Sequence, residues 1–410
     1  MKQLLPKISY FLLLLVVASM PTFRSFTPIL IALFTFSSLL HAVVNKAWKI
    51  GDKKVFIAAL SFFAIHLFSV IYSSQKDVAW FDIEVKLSLL VFPILFSIEN
   101  KYLQSRVNIV FTVFAVSIVI ANSYLLFTSM SNAMIVDYFH ITRDEMWRFS
   151  SSYLSKYIHP SYLSMYNLLV IVFFIEAIVK GKSAIRFLLI IPIFFLIVII
   201  SLLQSKAGFL VLAAVIIFYT WQLYKKISNK IVRIILPSLI IIASIYGISQ
   251  SRRMQLMYSS IISIAEKGNV TSTSTGIRFV IWRATSKIIA ENPILGVGAG
   301  DIKPELYAQI DKMQDDDEER EKKYNVHNQF LETMLGQGII GISLLIYLFY
   351  LGFRKSIKTH NHFFLLLMVS LTINFFPESM LNQEAGVVFF ALFYYLFMMI
   401  PSEIQRENAI

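Results

Sequence analysis

No cysteine occurs among the 410 residues, which excludes disulfides, thiolate metal sites and a cysteine nucleophile. Charge is scarce too: Asp, Glu, Lys and Arg make up 15% of the chain, against roughly 25% in ordinary globular proteins. The length alone would allow two or three soluble domains, but so few charges cannot cover their surfaces. Acidic residues are the rarer sign, 25 against 37 Lys and Arg, giving a net charge of +12 and a pI near 9.5. In a soluble protein that excess would point to a nucleic-acid face. What the chain has instead is apolar sequence: 57% hydrophobic residues and a mean hydropathy of +0.68. It reads as an all-α, polytopic integral membrane protein whose basic excess holds loops on the cytoplasmic side.

Apolar runs near the ~20 residues needed to cross a bilayer begin around Ile8, Thr27, Val55, Ile83, Val107, Pro160, Ile185, Ala207, Ile231, Met334, His362 and Glu384, twelve in all. Lys2 and Lys7 ahead of the first run, with Val16-Val17-Ala18 inside it, fit a cleavable signal, but the hairpin at Pro21 and the following span favour a retained helix. With the N-terminus inside, 19 basic residues fall on the connections of that side, among them Lys46, Lys49, Lys101, Lys180, Lys225 and Arg354. Only 7 (Arg24, Lys76, Lys86, Arg143, Arg148, Lys156 and Lys206) fall on the short connections opposite, and the other 11 lie in one long loop that the charge rule does not weigh. Both termini are therefore expected to be cytoplasmic. Residues 1–410 form a single membrane domain with a long polar loop at 250–337 and a shorter one at 128–159, both on the outer side. Loops of that length are functional or disordered. No internal repeat and no inverted pair of broken helices of the transporter kind is evident.

The long loop carries the concentrated chemistry. A helix is predicted from Gly276, preceded by Ser and Thr and stopped by Asn292-Pro293. Arg278, Trp282 and Thr285 share one face, while Ile277, Val280, Ile281, Ala284 and Ile288 line another, the pattern of a helix lying along a membrane surface. Gly296, Gly298 and Gly300 follow; no Lys-Ser/Thr comes after them, so a tight turn is favoured over a nucleotide loop. The run Asp315-Asp316-Asp317-Glu318-Glu319 reads as a solvated stretch and not as a cation site. His327 and Asn328 stand where the loop becomes a membrane helix. Asn is a good N-cap, and the helix start offers free N–H groups and a positive dipole end to an anion; the plain alternative for His327 is an interfacial polar residue.

The order Gly276-x-Arg278, Trp282, Asn292-Pro293-x-x-Gly296-x-Gly298, His327-Asn328-x-Phe330-Leu331-Glu332 and Gly336-x-Gly338-Ile339-Ile340-Gly341 resembles the shared block of the bacterial O-antigen ligase and polysaccharide polymerase superfamily. The motifs span about 204–342, and the pattern of spans extends the likeness to most of the chain. The resemblance implies a GT-C-like membrane glycosyltransferase of the bacterial cytoplasmic (inner) membrane, with about twelve helices and a periplasmic loop between the ninth and tenth. It implies transfer of a glycan from undecaprenyl diphosphate to an acceptor sugar hydroxyl, without nucleotide sugar, metal or other cofactor. The expected partners are the lipid-linked donor, a lipid A core or glycan acceptor and membrane lipids, with no nucleic acid.

On that resemblance Arg278 holds the diphosphate, as its planar fork suits phosphate, and His327 serves as general base or positions the acceptor. A second family cation is expected in a Ser-Arg-Gly-like motif; here Ser205-Lys206-Ala207-Gly208 keeps the charge and loses the fork. Asn328, Trp282, Arg283, His159 and Tyr162 complete the expected substrate-binding set, His159 with Pro160 being equally a structural helix start. Arg143, Trp147 and Arg148 are further candidates for glycan or headgroup contact, or interfacial anchors. Glu176 and Lys180 make an i,i+4 pair, and His66 reads as a neutral, hydrogen-bonded core histidine. A ligase transferring glycan to lipid A core is favoured slightly over a polymerase. A lipid-linked sugar transporter is the rival from another class, but it would place ionisable groups or broken helices near mid-membrane.

Overall fold

A computed structural model describes residues 2–134, 150–181, 183–226, 274–313 and 325–399, with isolated positions between 238 and 262. Over these residues the chain is all-α. The first helices are α1 (Leu5–Thr22), α2 (Thr27–Asn45), α3 (Lys53–Tyr72), α4 (Lys76–Lys86), α5 (Ser88–Phe96), α6 (Val107–Met134) and α7 (Pro160–Lys180). Next come α8 (Ile190–Leu203), α9 (Lys206–Lys226), α10 (Ser274–Glu291), α11 (Ile302–Asp311), α12 (Gln329–Lys358), α13 (His362–Phe375) and α14 (Glu384–Met399).

Among the described residues eight helical segments are long and apolar enough to cross a membrane, joined by the shorter apolar α13 and α14. One of the twelve expected spans differs and another is not described. The run near Ile83 divides into α4 and α5 at Leu87, because α4 carries Lys76, Asp77, Asp82, Glu84 and Lys86, and Pro93 withholds an N–H from α5. The run near Ile231 lies outside the described residues, as do Arg143, Trp147, Arg148 and the acidic run 315–319.

The bundle is organised around α14. Every residue from Ala385 to Met399 is buried, so this helix faces protein on all sides. Its rings pack against those of its neighbours: Phe389 stacks on Tyr166 at 4.8 Å and Phe397 on Phe364 at 4.8 Å, and Phe393 meets Phe114 tilted at 4.9 Å. Such pairs add about 0.5–1.5 kcal/mol each beyond area burial. At the periphery α8 turns Ile191 and Phe194 outward, as a lipid-facing helix does.

The connections sort into two physical ends. At one end Lys49 pairs with Glu99 at 2.9 Å, Asn100 donates to the Pro6 carbonyl and Lys355 donates to the Met398 carbonyl. At the other Arg24 donates to the Tyr157 carbonyl, Tyr72 donates to the Leu295 carbonyl, and Asp301 accepts from the N–H groups of Ser74 and Gln75. Among the described residues, the connections that carry Lys49, Lys101 and Lys355 lie at the first end and those that carry Arg24 and Lys76 at the second.

At the second end, α10 and α11 form a small layer over the bundle. Ile281, Ala284 and Ile288 of α10 pack with Ile302, Leu306, Val326 and Leu335. The expectation of a helix lying on the membrane is thereby corrected, since most of its apolar face is covered by α11 and α12. Ile277 and Phe279 remain exposed at its start.

The glycine run is a docking turn. Helix α12 breaks at Gly338, whose backbone (φ 61°, ψ −159°) lies in a region only glycine occupies readily. A break inside an apolar helix strands backbone groups that must find other partners. They find them in the turn: Val297 N–H donates to the Leu335 carbonyl at 2.8 Å, Gly298 N–H to the Gly336 carbonyl at 3.0 Å, and Ile339 N–H to the Pro293 carbonyl at 2.9 Å. A Cβ on Gly338 would collide with the Ile294 carbonyl, and one on Gly298 with the Ser73 hydroxyl. Gly338→Ala should therefore destabilise the protein by ~1–3 kcal/mol from backbone strain alone, read as a lower melting temperature in detergent. An unchanged melt would contradict this account of the break.

Candidate active site

Three parts of the chain meet here: the second turn of α10 brings Arg278, the approach to α12 brings His327, and the loop between α13 and α14 brings Glu378. Arg278 Nη2 donates to Glu378 Oε1 at 2.9 Å, and His327 Nδ1 lies 3.3 Å from Glu378 Oε2. One carboxylate thus bridges the two residues expected to carry the chemistry. The Ser161 hydroxyl stands 3.4 Å from Oε1, and His159 bears on the same carboxylate electrostatically.

The placement of His327 follows from its neighbours. Asn328 caps α12, its side-chain oxygen accepting from the N–H groups of Phe330 and Leu331 at 2.9 and 3.0 Å. Trp282 Nε1 donates to the Val326 carbonyl at 2.9 Å, and the Val326 side chain is buried. Between these anchors His327 adopts a positive φ of 50°, uncommon for a residue with a side chain and a conformation found often at functional sites.

Burial of Glu378 raises its pKa, yet the hydrogen bond from His327 and the charges of Arg278 and His159 outweigh it and hold the carboxyl below its ordinary value. It is therefore ionised near neutral pH. A carboxylate on Nδ1 fixes an imidazole with N–H on that side and an acceptor lone pair on Nε2. The Arg278 guanidinium carries four more N–H groups than the one given to Glu378, enough for a phosphate fork.

The other expected residues divide. Lys206 Nζ donates to the Thr275 hydroxyl at 2.7 Å, three residues before Arg278, so it sits at the start of the helix that presents Arg278. His159 caps α7, its Nδ1 accepting from the Ser161 N–H at 3.4 Å, and its ring packs edge-on to Tyr162. Trp282 and Asn328 hold the backbone on either side of His327. Arg283 is exposed, about 140° round the helix from Arg278 at 100° per residue, and is not drawn into the cluster. His66 Nδ1 donates to the Phe62 carbonyl at 2.7 Å within the core, and Glu176 pairs with Lys180 at 2.9 Å while accepting from Tyr219. Among the described residues no group of three His, Asp or Glu is placed to hold a metal ion.

Glu378 is the residue that sequence reasoning missed. A usable signal existed: Glu378 and Glu384 are the only charged residues between His362 and Met399, and Glu378 follows Pro377 at the end of an apolar run. Beside this loop an apolar groove of about 880 Å³ runs along the Pro28, Ile31, Ala32, Thr35 and Phe36 face of α2, with Arg24, Asn382 and Glu384 at its polar end.

Residues 191–346 match the model of the O-antigen ligase family. A protein of Haemophilus influenzae, described as an uncharacterized protein, is 29% identical over 200 residues, covering 45% of this chain and 48% of that one. The chain thus spans about half the length of the relative it matches. The matched stretch encloses Lys206, Arg278, His327 and the broken helix, so the candidate site lies largely within the part of the chain that is similar to the O-antigen ligase family.

Proposed function

We propose that the protein transfers a glycan from undecaprenyl diphosphate to a sugar hydroxyl at the outer face of the bacterial cytoplasmic membrane, with lipid A core as the acceptor. The observation that carries this reading is the Glu378 carboxylate held between Arg278 and His327. In the transfer, the acceptor oxygen bonds to the anomeric carbon as the bond from that carbon to the diphosphate oxygen breaks. The acceptor proton passes to Nε2 of His327, and Glu378 stabilises the imidazolium that forms. Negative charge grows on the departing lipid diphosphate, where Arg278, with Lys206 beside the start of its helix, supplies fixed cations. No metal is called for in this scheme, because guanidinium and ammonium groups carry the leaving-group charge. The apolar groove along α2 has room for hydrocarbon, which suits a lipid-linked donor.

Orientation follows from the sorting of connections. The basic-rich end is cytoplasmic by the positive-inside rule, which sets the end bearing Arg278 and His327 in the periplasm. A transporter would need its ionisable groups along a mid-membrane path, and the convergence of Arg278, His327 and Glu378 at one end supports an enzyme.

The experiment is a gel profile of surface glycan from a deletion strain. Polymer accumulated on the carrier with bare core is the expected result. Single repeats already joined to core would assign the protein to polymerisation, and an unaltered profile would remove both readings.

A further inference from the structure

Glu378 stands on a loop, and a carboxylate that must bridge two partners needs that loop held in place. The holding group is the first turn of α12. Glu332 Oε2 accepts from the Ser379 hydroxyl at 3.0 Å and its Oε1 accepts from Asn382 Nδ2 at 2.7 Å. One turn earlier, Gln329 Oε1 accepts from the Leu381 N–H at 2.6 Å. Three bonds therefore tie residues 379–382 to the helix that begins immediately after His327 and Asn328.

These groups are out of solvent: Glu332 is 5% exposed, Gln329 1% and Ser379 3%. A buried carboxylate is costly unless its oxygens are bonded, and here each oxygen has a donor from the same short loop. The surrounding charges are Lys86 and Asp82 of α4, an i,i+4 ion pair that bears on Glu332 electrostatically. No described hydrogen bond links Glu332 to Arg278, to His327 or to Glu378 itself; its described side-chain bonds go to the loop.

We infer that Glu332 is a positioning residue for the transfer reaction, its carboxylate gripping residues 379–382 so that Glu378 reaches both Arg278 and His327. The register explains why this grip belongs on α12. His327 and Glu332 lie on the two sides of the Asn328 cap, so a single rigid helix start sets the imidazole and, through the loop, the carboxylate that orients it. Displacements of about 1 Å in such a constellation can cost on the order of 10²-fold in rate.

This inference rests on the proposed transfer reaction, and a double-mutant cycle separates the two. Purified protein is assayed with a lipid-linked glycan donor and its acceptor, as wild type, Glu332→Ala, Glu378→Gln and the pair together. Glu332→Ala is expected to lower kcat by about 10- to 100-fold with the acceptor KM nearly unchanged. Added to Glu378→Gln it should cost less than about 2-fold more, because the group it positions is already impaired. Glu332→Gln, which keeps the shape and one acceptor oxygen, should recover most of the rate once the Asn382 amide turns over.

Losses that multiply in the double mutant would overturn the positioning role, as would full turnover in Glu332→Ala alongside an impaired Glu378→Gln. If Glu332→Ala does not fold, the same cycle run with Asn382→Ala decides by the same criterion. Full activity in Glu378→Gln would instead strike down the proposed reaction, whatever Glu332 does.

Discussion

Replacing His327 with alanine should lower glycan transfer by about 10²- to 10⁴-fold, the usual contribution of a positioned general base, while the protein still folds and inserts. The first half follows from geometry. With Nδ1 turned to Glu378, Nε2 is the ring nitrogen left to take the acceptor proton. The Ser161 hydroxyl and the Arg278 guanidinium are donors to that carboxylate and offer it no base. The second half follows from exposure: the His327 side chain is 34% exposed and among the described residues its polar contact is that single bond, so a surface-like stability change within about 0.5 kcal/mol is expected. The positive φ at this position calls for a control, because alanine tolerates it less well than asparagine does. His327→Asn keeps the backbone and removes the base, and it should be as inactive as the alanine variant in a reconstituted assay. Activity in His327→Asn near that of wild type would refute a proton-transfer role, leaving position 327 a structural cap-neighbour.

What could be read from the sequence was what is local in the chain. The Asn328 cap, the Glu176–Lys180 pair and the core bond of His66 each depend on residues within four positions, where helix geometry alone brings groups together. The basic residues sort onto two sides because each span reverses direction, and among the described residues Lys49 and Lys355 lie at one end of the bundle and Arg24 at the other. The turn at Gly296–Gly300 was legible as a turn, but its purpose was not. It serves a helix break about 40 residues downstream, and the broken helix looked continuous because Gly336-Gln337-Gly338 is flanked by apolar sequence on both sides. The α4–α5 division was hidden for a similar reason, as an apolar run after Ser88 masked the charged turn before it. Glu378 lies 51 positions from His327 and 100 from Arg278, separations at which neither periodicity nor spacing carries information. The helix around Arg278 shows the converse: Ile281, Ala284 and Ile288 of its apolar face found protein because α11 and α12 supplied a partner surface, while Thr285 of the other face is buried too and Ile277 is exposed.

Arg278→Ala should be as damaging as loss of His327, and for two separable reasons. The first is the leaving group. A fixed cation aimed at developing phosphate charge contributes about 10²- to 10³-fold when judged by removal of a comparable preorganised donor. The second is Glu378, whose side chain is only 12% exposed and which would lose its strongest ionic partner. Burial already pushes this carboxyl upward, and Arg278 is among the groups that hold it below its ordinary value, so removing the guanidinium raises the pH at which Glu378 protonates. A protonated Glu378 no longer fixes His327 as an ionic acceptor. The acid limb of the pH–rate profile should therefore move to higher pH in Arg278→Ala, in addition to the fall in rate at the optimum. Arg278→Lys separates the two effects: an ammonium keeps the positive charge near Glu378 and the diphosphate but cannot bind an oxygen pair as a fork. It should keep the acid limb near its wild-type position and still lose about 10- to 100-fold in rate, between alanine and wild type. An Arg278→Ala profile with an unmoved acid limb would mean that Glu378 does not depend on Arg278 for its ionisation. Full turnover in both variants would mean that the diphosphate is held elsewhere, and Lys206, one helix start away, would be the next cation to remove.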